Sequence, residues 1–276
     1  MNETTKKIDT LLQALEYVKE FDGKVIVIKY GGSVIENKQL QASVFQDISL
    51  LSRLGLQIVI VHGGGPAINQ ALKERGIVSK AIDGLRVTDE QILRVVIESL
   101  KRINKDCVKG LIKAGVRAED YTRNMLIAKQ RDPRLGYVGD IVKLNTDVLI
   151  KALAYGIVPV VSCWGTDGAG QMYNINADTA AMHVAEALKA EKLTILTNIH
   201  GVLDGKGRRL AHIKVRDIPA YIEHDVIYGG MIPKVQACAE AVTHGVKKAH
   251  LIDGTIPRAL LLEIFTEEGV GTEVVL

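Results

Sequence analysis

The eight residues Val25–Gly32 read V-I-V-I-K-Y-G-G, and no other stretch restricts the fold of this chain so tightly. Four β-branched residues in succession leave no polar face, so a strand made of them must be covered on both sides, as at the centre of a parallel sheet. Lys29 then brings a charge that a closed core cannot hold, and Gly31 and Gly32 follow with bare backbone. In open parallel sheets ligands sit beyond the carboxyl ends of the strands, so a lysine and two glycines there predict an anion site. A second stretch has the same order: Ile58–Val61 (I-V-I-V), His62, then Gly63-Gly64-Gly65-Pro66. Proline at the first helical position after glycines exposes backbone N–H groups at a helix start, where anions bind. Either turn alone could be a plain strand-to-helix connection. Two of them, one carrying a lysine, argue for phosphate chemistry.

Composition removes several classes. The length, 276 residues, suits one large or two small domains, and apolar and charged contents of 47% and 24% are those of an ordinary globular chain. A net charge of +3 without a long basic run gives nucleic acid no footing as a partner. No apolar run is long enough to span a bilayer, and the opening M-N-E-T-T-K-K lacks the apolar core of a signal peptide. Cys107, Cys163 and Cys238 lie far apart with no C-x-x-C, which disfavours a disulfide framework or a zinc site and favours the cytoplasm.

Along the chain, strands and helices alternate. A helix is expected over 4–20, where Ile8, Leu11, Leu15 and Val18 form one apolar stripe; it either packs on its own domain or meets another subunit. Helices are expected over 39–54, 66–74 and 90–111, the last capped by Thr88 or Asp89. Residues 119–147 read less clearly, with strands near 125–128 and 136–143, and a helix and strand over 145–155 and 157–161 follow. Trp164–Gln171 reads as a loop that opens N-I-N-A-D (Asn174–Asp178) and a helix over 178–190. Asp178 near that helix start has a simple explanation as a favourable carboxylate, but two asparagines leading into one turn do not. A strand over 193–197, a hairpin turned at Asp204–Gly207, a strand over 249–252, a helix over 258–265 and a last strand over 272–276 complete the pattern. Gly229-Gly230-Met231-Ile232-Pro233-Lys234 is a third glycine turn, and it puts Lys234 in the first turn of a helix. A cation there opposes the macrodipole unless an anion lies between them, and a phosphate would serve.

Two lysines, three glycine turns and an aspartate suit phosphoryl transfer, which asks chiefly for positioning and for positive charge on the migrating oxygens. No Walker sequence, no G-x-G-x-x-G and no nucleophile elbow occurs. The motifs K-Y-G-G, V-H-G-G-G-P, G-L-R-V-T (Gly84–Thr88), N-I-N-A-D and G-G-M-I-P-K, in this order over nearly the whole chain, resemble the amino acid kinase family. The resemblance implies an α/β fold, a three-layer α/β/α sandwich with a largely parallel central sheet. It implies an oligomerisation helix at 1–22, a lobe for an acyl amino acid at 23–185 and a nucleotide lobe at 186–276. Within the family, G-L-R-V-T with N-I-N-A-D is most similar to the branch that uses ATP with Mg2+ to phosphorylate the γ-carboxylate of N-acetyl-L-glutamate for arginine synthesis. Carrier-bound aminoadipate as acceptor and a non-catalytic sensor are the alternatives.

By that resemblance Lys29 and Lys234 flank the phosphoryl group and Asp178 orders them, while Gly64, Gly65, Arg86 and Asn174 hold the acyl amino acid. Gly31, Gly32, Asn198 and Gly230 fall to the nucleotide and its phosphates, and no protein side chain is expected to bind the metal. The chain departs from the family at Asn198, where an aspartate is usual, at Glu119–Met125, which lacks a glycine-rich pattern, and at Arg258, where histidine is usual. The two chain ends are similar to those of arginine-inhibited members. That implies a hexamer built as a trimer of dimers through the leading helix, and an arginine site of Tyr17, Glu263, Gly269 and Gly271. Some relatives bind a PII-type regulator.

Overall fold

The computed structural model describes Ile8, Leu12 and residues 15–82, 84–266 and 269–276. Val25–Tyr30 forms strand β1, and Ile26, Val27 and Ile28 are wholly buried. Val27 packs into one apolar cluster with Val59 and Val61, while Ile26, Ile28 and Tyr30 pack into a second with Ile58 and Ile60. Successive side chains leave opposite faces of a strand, so the run is apolar throughout because each face has its own core. Burying each such side chain contributes about 1.5–3 kcal/mol.

After β1 come α1 (Ser33–Glu36), α2 (Lys38–Arg53), β2 (Gln57–His62), α3 (Gly65–Glu74), and the hairpin of β3 (Ala81–Ile82) and β4 (Leu85–Arg86). Next are α4 (Glu90–Lys113), β5 (Ala118–Asp120), β6 (Leu126–Gln130), β7 (Gly139–Leu144), α5 (Thr146–Ala154) and β8 (Val158–Ser162). Then follow β9 (Trp164–Thr166), β10 (Met172–Asn174), α6 (Ala177–Ala187), β11 (Lys192–Thr197) and β12 (His212–Lys214). The chain ends with α7 (Ile218–Glu223), α8 (Ile232–Thr243), β13 (Lys248–Asp253), α9 (Ala259–Phe265) and β14 (Gly271–Val275).

The main sheet has eight strands in the order β12-β14-β13-β11-β1-β2-β8-β5. β1 is parallel to both neighbours, β11 and β2, and only at β14 does the direction reverse against β13. Chain order therefore turns around at β1, the kind of switch point beside which α/β sheets bind ligands. Helices α3, α6, α8 and the first half of α4 cover one face, and α2, α9 and the far end of α4 cover the other. The expected sandwich is present, and among the described residues no helix is long and apolar enough to cross a membrane.

Some local readings change. Trp164–Gln171 is a loop only in its second half, because β9 and β10 pair across it within a second sheet, β10-β9-β6-β7. Asp89, not Thr88, caps α4: its Oδ1 accepts from the Ile92 N–H at 2.8 Å. Residues 15–21 are helical, with Phe21 buried, while Ile8 and Leu15 of the apolar stripe, and Leu12 beside it, are each more than half exposed, at 52%, 54% and 56%. Leu11 lies outside the described residues. Arg258, the histidine departure, stands at φ +63° before α9 and reaches Asp47 of α2, Nη1 to Oδ1, at 2.9 Å.

Candidate active site

Lys29 is the fifth residue of β1 and ends as a buried ammonium at the carboxyl edge of the sheet. Asp178 is the second residue of α6, and Lys234 the third of α8. These elements bring the three together: Lys29 Nζ lies 2.9 Å from Asp178 Oδ1, and Lys234 Nζ lies 2.7 Å from Oδ2. Lys234 makes an aligned hydrogen bond, whereas the Lys29 contact is an ion pair off the hydrogen-bonding axis. Burial alone would raise the Asp178 carboxyl, but the two ammoniums outweigh it and hold it at about 2. Lys234 is pulled below its usual value by burial and by Lys29, with Asp178 opposing. The anion that the position of Lys234 demanded is thus already in the chain, as the Asp178 carboxylate.

Asn176 frees Asp178 for this work. Its Oδ1 accepts from the N–H groups of Asp178 and Thr179 at 2.8 and 3.0 Å, so the helix start is capped by the asparagine. The pair of asparagines divides its labour, since Asn174 lies in β10 and donates to Thr88 Oγ1 at 3.2 Å.

Around the triad lies a cavity of about 290 Å³, walled by all three glycines of the second turn together with Gly31 and Gly32. A Cβ on Gly31 would stand 3.1 Å from Lys29 Nζ, so the bare backbone leaves the ammonium its place. A Cβ on Gly64 would meet Ile103 Cδ1 at 2.8 Å, which seats the turn directly on α4. The Gly63 N–H is spent on Tyr30 O at 3.1 Å. Those of Gly64 and Gly65, at the start of α3, have no acceptor within the helix.

Arg86 closes the same cavity from β4. Its Nη1 donates to Ser79 Oγ at 2.8 Å and its Nη2 to Asn69 Oδ1, both neutral, and it pairs with no carboxylate among the described residues. A half-buried guanidinium without an anion is a binding group in waiting. Thr88 Oγ1, which receives Asn174, itself donates to Arg86 O at 2.7 Å, so the two substrate-side residues share one buried anchor.

Asn198 and Gly230 lie apart from this cavity: Asn198 is exposed just after β11, and Gly230 is in a short turn leading into α8. Tyr17, Glu263, Gly269 and Gly271 share a separate cavity of about 170 Å³. Glu263 is well occupied there. Lys192 Nζ is 3.0 Å from Oε1, which His250 Nδ1 also meets, and the Val270 N–H donates to Oε2 at 3.0 Å. Burial opposes ionisation of Glu263, yet His250 and Lys192 hold it at about 2. Sequence reasoning missed Cys163, which lines the main cavity with its thiol pushed up by burial to about 12, with Lys29 opposing. A lone cysteine before a tryptophan carries no signal that could have placed it there.

Residues 24–253 match the amino acid kinase family. The acetylglutamate kinase of Geotalea daltonii is 44% identical and that of Pelobacter propionicus 45%, each covering 99% of both chains. Among solved structures, N-acetylglutamate synthase from Neisseria gonorrhoeae, complexed with coenzyme A and N-acetyl-glutamate, superposes with a TM-score of 0.88 at 25% identity. That match covers 98% of this chain and 63% of the synthase. Carbamate kinase from Giardia lamblia bound to AMP-PNP, at 17% identity, TM-score 0.66 and 92% and 98% coverage, shares the fold. A sheet turned about β1, a lysine–aspartate–lysine centre at its edge and likeness along the whole chain lead to one conclusion: the protein belongs to the amino acid kinase family.

Proposed function

We propose that the protein transfers the γ-phosphoryl group of ATP to the γ-carboxylate of N-acetyl-L-glutamate, giving N-acetyl-L-glutamyl 5-phosphate for arginine synthesis. The observation that carries this is the pair of ammoniums, one buried and one partly buried, held on opposite oxygens of Asp178 at the wall of the glycine-lined cavity. A carboxylate with a pKa of about 4.3 is ionised at neutral pH, so the acceptor needs no general base. Its oxygen attacks the γ-phosphorus, the bond to the bridging oxygen breaks, and ADP leaves. Lys29 and Lys234 meet the charge on the migrating oxygens, and the free N–H groups of Gly64 and Gly65 assist. Arg86 takes the other carboxylate of the acyl amino acid as a planar fork. Residues 23–185 then serve the acyl amino acid and residues 186–276 the nucleotide, with Asn198 and Gly230 on its side.

In this reading Mg2+ arrives on the nucleotide, where it neutralises phosphate charge. A coupled ADP-release assay comparing acetylglutamate, glutamate and aspartate tests the reading. Acetylglutamate should turn over fastest, and Lys29→Ala or Lys234→Ala should each cut turnover about 10²-fold. Near-normal turnover in both variants would exclude phosphoryl transfer at this centre.

The exposed stripe of the leading helix supports a hexamer assembled through it, and the cavity at Tyr17 and Glu263 supports inhibition by L-arginine. An arginine guanidinium entering there would compete with Lys192 for Glu263, and Glu20 on the same wall offers a second carboxylate. Light scattering on the full chain and on a variant starting at Gly23 should show a hexamer and a smaller species. A full chain no larger than a dimer, with activity indifferent to millimolar arginine, would sink this reading.

A further inference from the structure

Behind the second glycine turn lies a buried polar chain for which the reaction, as described, has no use. His62 ends β2 with no exposure, its Nε2 2.8 Å from Ser162 Oγ at the end of β8 and its Nδ1 3.1 Å from Gly63 O. Asn104 of α4, also buried, donates through Nδ2 to Ser162 Oγ at 2.9 Å and to Thr122 Oγ1 at 3.0 Å. Thr122 Oγ1 in turn accepts from the Ser162 N–H at 2.9 Å.

The proton positions in this chain follow from its ends. A carbonyl only accepts, so the nitrogen facing Gly63 O, Nδ1, must carry the hydrogen. Burial holds the imidazole neutral by lowering its pKa to about 4, so Nε2 is a bare acceptor, and the Ser162 hydroxyl donates to it. Asn104 is oriented in turn: the Ser162 proton is spent on Nε2, and Val160 O, 3.5 Å from Asn104 Nδ2, only accepts, so the NH2 faces both. Hydrogen bonds thus run one way, from α4 through Ser162 and His62 to the carbonyl of Gly63.

That carbonyl shares a planar trans peptide with the N–H of Gly64, and the two groups point in opposite directions. Gripping Gly63 O from the core therefore turns the Gly64 N–H outward, towards the cavity that Gly64 lines. We infer that His62, locked by Ser162 and Asn104, is a positioning residue that aims the Gly64 N–H at the phosphoryl group being transferred. This rests on the reading of the cavity as the phosphoryl-transfer site. The distinction from mere structural support is in the atom used: only a donor at the Nδ1 position holds the peptide plane.

The test compares His62→Leu, which removes that donor, with His62→Asn, whose side-chain NH2 stands near Nδ1 and can reach Gly63 O. Both lose the link to Ser162, and both are expected to melt below the parent. His62→Leu should lose 10- to 10²-fold in kcat with KM for both substrates within about threefold, because a donor felt mainly in the transition state has been misaimed. His62→Asn should keep kcat within about fivefold of the parent despite a similar fall in melting temperature. Equal kcat losses in the two variants, or a His62→Leu enzyme with parental kcat, would overturn the inference. If His62→Leu does not fold, nitrogen-15 NMR of the unaltered protein decides: the hydrogen should be on Nδ1, and finding it on Nε2 refutes the chain of donors. Lys234→Ala serves as the control. A crippled Lys234→Ala beside a fully active His62→Leu rejects the role of His62 alone, whereas full activity in both rejects the site itself.

Discussion

Replacing Asp178 by Asn keeps the shape of the centre and removes its one negative charge, and the structure sets the size of the effect. The carboxyl is held at about 2 against an ordinary 3.8, and at about 1.4 kcal/mol per pKa unit the native state favours its charged form by roughly 2–3 kcal/mol. Viewed as contacts rather than titration, the same loss leaves the buried Lys29 and the partly buried Lys234 ammoniums unpaired, and breaking a buried ion pair from one side costs about 3–5 kcal/mol. Lys234, whose side chain is 24% exposed, can recover some hydration, which places the total near the lower figure, about 3 kcal/mol. With an unfolding entropy of about 2.1 cal/mol/K per residue, a chain of this length should then melt about 5 °C lower. The sign of the pH dependence is specific. A carboxyl with a depressed pKa contributes stability above its unfolded value and loses it as pH falls through the folded one. The gap between parent and Asp178→Asn should therefore be widest at neutral pH and close between pH 4 and 2. Scanning calorimetry at pH 7, 5 and 3 reads it. A gap under 1 °C at pH 7, or one that does not narrow by pH 3, would refute the pairing as its cause.

Two further outcomes follow from buried groups. A Cβ on Gly110 would lie 2.3 and 2.7 Å from ring atoms of Phe45, which the second core holds in place. Overpacking costs about 1–3 kcal/mol, more than the roughly 1 kcal/mol of helix propensity gained, so Gly110→Ala should lower the midpoint of urea unfolding; a higher midpoint would show that Phe45 can withdraw. His62, with its pKa lowered to about 4 from 6.5, binds its proton in the unfolded chain first, so stability should fall as pH drops from 6.5 towards 4. The loss attributable to it by pH 5 is about 2 kcal/mol, and a His62→Asn protein whose stability falls just as steeply over that range would refute it.

What could be read in advance depended on how local each signal was. β1 was legible because an unbroken apolar run ending in Lys29 and two glycines needs no partner to be interpreted. Lys234 was half legible: its place in the first turn of α8 demanded an anion, but nothing in the spacing pointed to Asp178, 56 residues earlier. The strands β9, β10 and β12 have three residues each, too few for alternation to show. The segment Glu119–Met125 looked aberrant for want of glycines, yet Thr122 within it is a buried support for Ser162. His62, Asn104, Thr122 and Ser162 come from four separate parts of the chain, and no motif joins them.

The position of β1 between β2 and β11 also has a cost measured in time. On one side its partner arrives after the short crossover of α1 and α2, but on the other side the pairing strand begins at Lys192, about 160 residues later. At about 5–20 residues per second, a ribosome takes roughly 8–30 s to deliver it. Throughout that interval this strongly apolar strand has one edge of unpaired N–H and C=O groups, the template on which chains stick to each other. The strand that organises the finished enzyme is thus the one most in need of protection while the enzyme is being made.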